Sequence, residues 1–327
     1  MTIDPALADT VLKSSAFLVV YAIAIGLDYR FVRHGSRRRA YMVLALEAAI
    51  LLPLPLIFGR EDIVVRFLFS VLAALKIARC VELATDRVKD TAMVVDWRRF
   101  IIWQMTGSDT VWPRSDAERR ANRMQGLRLL VEGGLYAAAV GALVWVLSLV
   151  PSWPDAVWSR SLAMLLIMGL TLPALTAFTS IGPLLMGIKV ERVMRHPLLA
   201  RSLHEFWGRR WNIAFRDIAH RGVYRPLRDR GLPVWLAVIG VFAVSGIAHE
   251  YLVLTSVGSH AGEMSAFFLS QALLVLIERP LLQRMPARIQ VPLGYLWMWG
   301  ALLVTAPLFF DPFTRIIDIV GISRWIF

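Results

Sequence analysis

Eight stretches of the sequence, at about 11–27, 41–58, 63–79, 129–150, 161–183, 234–255, 264–280 and 293–310, read as membrane spans. A helix needs roughly 20 mostly apolar residues to cross the hydrocarbon layer. So many windows of that kind in one chain point to an all-α integral membrane protein. The composition agrees. Hydrophobic residues make up 57% and charged residues 18%, against about 25% charged in a soluble domain, and the mean hydropathy is +0.58. No Gly/Ser linker or internal repeat divides the chain, which predicts one polytopic domain over 1–327.

The net charge of +12 is explained by the loops rather than by a nucleic-acid partner, which is not expected. Arg30, Arg33, Arg37, Arg38 and Arg39 follow the first span, and a long basic connection follows the third. The stretch 188–232 holds eleven Lys or Arg against four acids, and Arg279, Arg284 and Arg288 close the seventh span. The loops between these are short and poor in basic residues. Under the positive-inside rule the basic segments face the cytoplasm and both termini lie outside. The first span follows Asp4 and Asp9 rather than a basic region, so it is expected to be retained as a helix. Cys80 is the only cysteine, which excludes an intrachain disulfide, and no histidine pair has metal-ligand spacing; no metal is expected.

Two segments between spans have helical patterning. Residues 93–105, MVVDWRRFIIWQM, mix Trp97 and Trp103 with Arg98 and Arg99, as an interfacial amphipathic helix does. In the second, about 200–221, Leu203, Trp207, Trp211, Phe215 and Ile218 recur at helical spacing, and Glu205, Arg209, Asn212 and Arg216 form an adjacent stripe. Glu205 with Arg209, and Asp217 with Arg221, are i,i+4 pairs on such a helix. Tryptophan and arginine together also suit a helix anchored among lipid headgroups. Asn212 between two arginines is the discordant residue, because its carboxamide offers both donor and acceptor to a carbonyl group.

The span near 234–255 contains His249 and Glu250 side by side. An ionisable residue inside a span costs on the order of 2.5–3.5 kcal/mol on insertion scales and is a functional candidate by default. Phe242, Ser245, His249 and Leu252 share one helical face, and Gly246 on the neighbouring face admits another backbone. Imidazole suits a buried general base, since its neutral form tolerates apolar surroundings. A packing histidine bonded across helices fits the same residue. Glu250 reads more readily as a structural partner or interface residue than as a site residue.

Taken together, FWGRRWN at Phe206–Asn212, SGIAHE at Ser245–Glu250 and APLFFDPF at Ala306–Phe313 resemble the wax synthase-like branch of the membrane-bound O-acyltransferase family. The resemblance is specific over about 200–313; before 190 only the hydropathy and, loosely, Lys76 share it. It implies about eight transmembrane helices plus cytoplasmic amphipathic helices enclosing a tunnel. N-terminal spans would occupy 1–190, a catalytic core 191–313 and a tail 314–327. It also implies acyl transfer from acyl-CoA, or another acyl thioester such as an acyl carrier protein, to a hydroxyl. His249 would be the general base and Asn212 would orient the substrate. Trp207 and Trp211 would wall the cavity, with Ser245 and Glu250 beside the substrate. Arg209, Arg210 or Arg216 would meet the coenzyme's phosphates, as arginine does in charge-assisted recognition. Acyl-CoA is then a co-substrate and no bound cofactor is expected. The acceptor could be a lipophilic alcohol, a sterol, a glycerolipid, a sugar or a secondary-metabolite hydroxyl, and the expected location is a bacterial inner membrane.

Rival readings remain at this level. A proton-coupled transporter would use His249 and Glu250 as a relay, with Arg66 and Lys76 along a path. A silent membrane scaffold would keep the fold alone. Histidine with Asp five residues on, a His-His pair, G-x-S-x-G and a Walker A loop are all absent. The other histidines, His34, His196, His204, His220 and His260, fall in the connections between spans.

Overall fold

The computed structural model describes residues 5–33, 35–150, 152–153 and 155–316. Asp4, His34 and the tail from 317 onward lie outside the described residues. All eight expected spans are helices: α1 (Pro5–Leu27), α2 (Arg37–Leu51) and α3 (Ile63–Ala84) precede the short α4 (Trp97–Met105). Then come α5 (Asp116–Ser148), α6 (Val157–Leu185), three short helices α7 (Leu203–Glu205), α8 (Ile213–Ala219) and α9 (Arg225–Asp229), and the spans α10 (Val234–Ser256), α11 (Glu263–Gln283) and α12 (Ala287–Ile316). One two-residue antiparallel pair, β1 (Thr110–Val111) with β2 (Lys189–Val190), joins two connections, with Thr110 opposite Val190.

The ends of the helices follow local chemistry. Ser115 caps α5 by accepting from the Glu118 amide at 3.1 Å, while Glu118 accepts from the Arg114 amide at 2.7 Å. This arrangement satisfies amides that the first turn leaves open. It lets α5 begin at Asp116, well before the apolar part of its span. The α2 helix stops at Leu51, short of the expected 58, because Pro53 and Pro55 follow and the chain turns through Leu54–Ile57 instead.

Among the described residues, seven helical stretches are long and apolar enough to cross a membrane. The exception among the eight spans is α3, which carries Arg66, Lys76, Arg79 and Glu82, all buried. It packs against α1, α2, α10 and α12, so its charges meet protein rather than lipid. Lys76 is fully buried and donates at 2.7 Å to both Asp28 and Glu47. Gln104 also donates to Asp28, at 2.7 Å. Asp28, Glu47 and Cys80 converge closely enough to hold an ion, but the ammonium of Lys76 already reaches both carboxylates.

The α4 segment is amphipathic as its sequence indicates, but it is not simply an interfacial anchor. Phe100 and Trp103 are buried in a core with Phe17, Tyr21 and Met93, and Arg79 lies over the Trp103 ring, 4.8 Å from its centroid. Of the aromatic residues on α4 only Trp97 remains exposed. A second core joins α6, α7, α10, α11 and α12 through Met164, Leu203, Val253, Phe268 and Phe309. The candidate site lies against this second core.

Candidate active site

Two pieces of chain build the site, and the first departs from its periodicity. Residues 203–219 do not form one continuous helix. A π-turn over Phe206–Arg210 inserts one residue, so the Trp211 amide donates to the Phe206 carbonyl five residues back, at 2.8 Å. The same insertion moves the partner of Glu205 from Arg209 to Arg210, whose Nε donates to Glu205 Oε1 at 2.7 Å. Trp211 is then extended and Asn212 is left-handed, with φ 38° and ψ 58°. Asparagine tolerates that region better than most residues. From there it restarts the helix: its Oδ1 accepts from the Phe215 amide at 3.2 Å and so caps α8.

Residues from α11 hold this broken segment in place. The carboxylate of Glu278 accepts from the Leu203 amide at 2.6 Å and the His204 amide at 2.8 Å. Trp207 Nε1 donates to Gln271 Oε1 at 3.0 Å, and Gln271 in turn donates to Thr305 at 2.7 Å. Neither Glu278 nor Gln271 stood out in the sequence. Glu278 carries the signal that singled out His249, an ionisable group inside a span. Glu278→Ala is expected to lower the melting temperature measured in detergent, because each orphaned buried amide costs about 1–3 kcal/mol. An unchanged melting temperature would mean that the carboxylate is dispensable.

The second piece is α10. Val238, Val241, Phe242, Ser245 and His249 line one face of a cavity of about 240 Å³. Trp207, Trp211, Asn212, Phe215, Arg216, His220 and Tyr224 line it from the broken segment, and Phe268 and Val275 from α11. The imidazole of His249 and the carboxamide of Asn212, 37 positions apart in sequence, therefore border the same chamber. Leu252, expected on the same face, does not line it; the face continues toward Val238 instead.

The hydrogen bonds define what these groups can offer. His249 Nδ1 lies 2.8 Å from the Ser245 carbonyl oxygen. A carbonyl only accepts, so Nδ1 carries the hydrogen and the neutral ring presents a lone pair at Nε2. The ring packs against Phe268, centroids 4.6 Å apart, and Phe309, 6.0 Å apart. Asn212 Oδ1 is occupied by the Phe215 amide, which leaves the carboxamide NH2 as its available donor. Trp207 meets Phe242 edge-on at 5.7 Å and Trp211 at 6.2 Å, giving the chamber a largely aromatic wall.

The other expected site residues divide. Arg216 lines the cavity, donating at 2.6 Å to the Gly208 carbonyl and pairing with Asp217. Arg209 is exposed and Arg210 is held by Glu205 and by the Arg195 and His196 carbonyls; neither lines the cavity. Burial would raise the Glu205 carboxyl, but the Arg201 amide and the Arg210 guanidinium outweigh it and hold it below its usual range. Glu250 also lies outside the cavity. It accepts from the Gly262 amide at 2.6 Å and from the amide and hydroxyl of Ser265 at 3.0 Å, tying α10 to the start of α11. Nearby, a Cβ on Gly246 would stand 3.0 Å from Ser265 Cα, the close approach expected of that glycine.

Arg221 pairs with Glu82 and, at 3.1 Å, with Asp109, rather than with Asp217. A second π-turn over His220–Tyr224 redirects its side chain toward α3. Burial would lower its guanidinium, but the Glu82 bond and the charge of Asp109 prevail and raise it. The same turn stacks His220 on Tyr224, ring centroids 5.2 Å apart, and both enter the cavity lining. The i,i+4 spacing of this aromatic pair was the legible signal for it. His196 meets the Tyr136 hydroxyl at 2.6 Å and His260 meets Glu263 at 2.8 Å, both away from the site.

These features define a polytopic helical membrane protein with an apolar chamber flanked by one oriented imidazole and one capping carboxamide. Residues 190–270 match the model of the membrane bound O-acyl transferase family, and the chain is similar over part of its length to long-chain-alcohol O-fatty-acyltransferases. It is 32% identical over 114 residues to the long-chain-alcohol O-fatty-acyltransferase of Simmondsia chinensis, covering 32% of each chain. Against "Probable long-chain-alcohol O-fatty-acyltransferase 8" of Arabidopsis thaliana it is 30% identical over 139 residues, 40% of this chain and 41% of that protein. "Acyl-CoA--sterol O-acyltransferase 1" of Arabidopsis thaliana is 38% identical over 71 residues, 20% of this chain and 21% of its own length. The chain thus spans well under half the length of these curated relatives. They are plant proteins and lend no support to the expected bacterial inner membrane.

Proposed function

We propose that the protein transfers a fatty acyl group from acyl-CoA to the hydroxyl of a lipophilic alcohol. The observation that carries this reading is the shared chamber: His249 and Asn212 border one apolar cavity, and His249 directs its lone pair away from the Ser245 carbonyl. Nε2 removes the hydroxyl proton as the alcohol oxygen attacks the thioester carbonyl. The carbon–sulfur bond breaks, and the leaving thiolate takes the proton back from the imidazolium. The balance is one alcohol and one thioester giving one ester and one thiol. The NH2 of Asn212 donates to the carbonyl oxygen as charge develops on it, and the aromatic walls limit hydrolysis by water.

The relatives named above support a long-chain alcohol or a sterol as acceptor over a sugar. The transporter reading gains nothing from the geometry, since neither Arg66 nor Lys76 lines the chamber and Lys76 is held by two carboxylates. The test is ester formation by purified protein in detergent from labelled acyl-CoA and a panel of long-chain alcohols and sterols. Thiol release that is independent of any acceptor, or no ester with any of them, would overturn the reading.

Asn212→Gly separates the backbone role of that residue from its chemical role. Glycine accepts the left-handed conformation and costs only a few tenths of a kcal/mol as a cap, in about the range where asparagine-to-alanine costs 0.5–2. Near-normal melting with ester synthesis down by about a hundredfold is expected, in line with loss of one donor to a developing oxyanion. Equal activity would remove the carboxamide from the mechanism.

A further inference from the structure

The left-handed backbone at Asn212, φ 38°, is strained for a residue other than glycine, and such a conformation persists only where its surroundings over-determine it. Residues 191–196, in the connection after α6, supply much of that constraint. The Ile213 amide donates to the Val193 carbonyl at 2.8 Å, and the Arg195 amide donates to the Arg210 carbonyl at 2.9 Å. Between these two bonds, the Asn212 amide donates to the sulfur of Met194 at 3.3 Å, and Met194 is buried. The turn at Asn212 is thus gripped on both sides through main-chain groups of a second piece of chain.

That piece of chain is itself anchored away from the chamber. At its start the Glu191 amide donates to the Asp109 carbonyl at 2.9 Å, continuing the β1–β2 pairing. Next, Arg192 makes a forked pair with Glu132 of α5, Nη1 to Oε1 at 3.0 Å and Nη2 to Oε2 at 2.8 Å. At its end His196 meets the hydroxyl of Tyr136, four residues along α5 and on the same face as Glu132. Two groups on α5 therefore bracket residues 193–195, the three that bond to the Asn212 turn. The side chains of Arg192 and Glu132 are only 30% and 27% exposed, and a two-pronged guanidinium–carboxylate pair fixes orientation as well as distance. Neither residue lines the His249 chamber, and Glu132 lies outside the residues that match the family model.

We propose that Glu132 and Arg192 are positioning residues for acyl transfer: by fixing residues 193–195 they hold Asn212 in the turn that leaves its NH2 free for the thioester carbonyl. The proposal rests on the role given to Asn212 above and extends the machinery of the site to α5.

The test is steady-state kinetics of Arg192→Ala and of the size-conserving Glu132→Gln in the full-length protein, each made also in the Asn212→Gly background. Either single variant is expected to lower kcat by about tenfold while KM for acyl-CoA stays within about twofold, because a displaced group costs transition-state stabilisation rather than binding. In the Asn212→Gly background the same change should cost almost nothing, since residues that act through one another are not additive. An equal loss in both backgrounds, or full activity in both single variants, overturns the proposal. Hydrogen exchange gives a readout independent of turnover. Peptides containing Asn212 and Ile213 should exchange about tenfold faster in Arg192→Ala, with α11 peptides unchanged, as expected of a local opening. Unaltered exchange at the turn, or a rise that spreads over α11, also overturns the proposal. If Asn212→Gly proves fully active, or wild type makes no ester, the reading above fails, and the exchange comparison still decides whether the pair holds the turn.

Discussion

Replacing His249 with alanine is expected to abolish measurable ester synthesis while leaving the protein folded. A positioned general base commonly contributes about 10²–10⁴-fold, and an alcohol buried in an apolar chamber has no water to take its proton instead. The structural cost is small because the ring's one hydrogen bond goes to its own helix, at the Ser245 carbonyl. Size-exclusion profile and melting temperature in detergent should therefore match wild type. A variant that keeps more than a tenth of wild-type turnover would rule out His249 as the base. Proteoliposomes give the contrasting measurement, since a proton-coupled transporter would lose pH-driven flux in this variant and an acyltransferase has none to lose.

The largest loss of stability is expected from Lys76→Met. Lys76, Asp28 and Glu47 are almost completely buried, and the ammonium is 2.7 Å from a carboxylate oxygen of each acid. Removing it leaves two carboxylates facing each other without a counter-charge. Breaking one buried pair costs about 3–5 kcal/mol. The acids come from different elements: Asp28 opens the turn after α1, Glu47 lies on α2, and Gln104 joins Asp28 from α4. The N-terminal bundle should therefore loosen as a whole. Thermal unfolding in detergent and the yield of monodisperse protein measure the effect. Adding Asp28→Asn and Glu47→Gln to Lys76→Met should recover much of the loss, because a buried charge without a partner is costlier than a neutral polar group. If Lys76→Met melts with wild type, or the triple variant melts no higher than the single one, the ionic account of this cluster is wrong.

The helical membrane class was legible because burial in lipid demands long apolar windows, and seven of the eight spans pass that test individually. The eighth, α3, was legible as a span but not as the polar centre of the N-terminal bundle. Nothing in the spacing of Asp28, Glu47 and Lys76 reveals that three elements bring them together. The π-turns were invisible for a different reason. Each inserts one residue into an otherwise helical register, so the i,i+4 rule misassigned the partners of Glu205 and Arg221 by an amount no local pattern discloses.

The candidate site divides along the same line. Sequence by itself determined that His249 sits within an apolar helix, that Asn212 lies in an aromatic and basic segment, and that Gly246 admits a neighbouring backbone, because these are properties of single elements. Only the tertiary structure decided that His249 and Asn212 share a chamber, that Glu250 serves the α10–α11 junction, and that Arg209 and Arg210 face elsewhere. Hydropathy and periodicity fix which side of one helix is apolar; the path of the chain between helices fixes which sides meet.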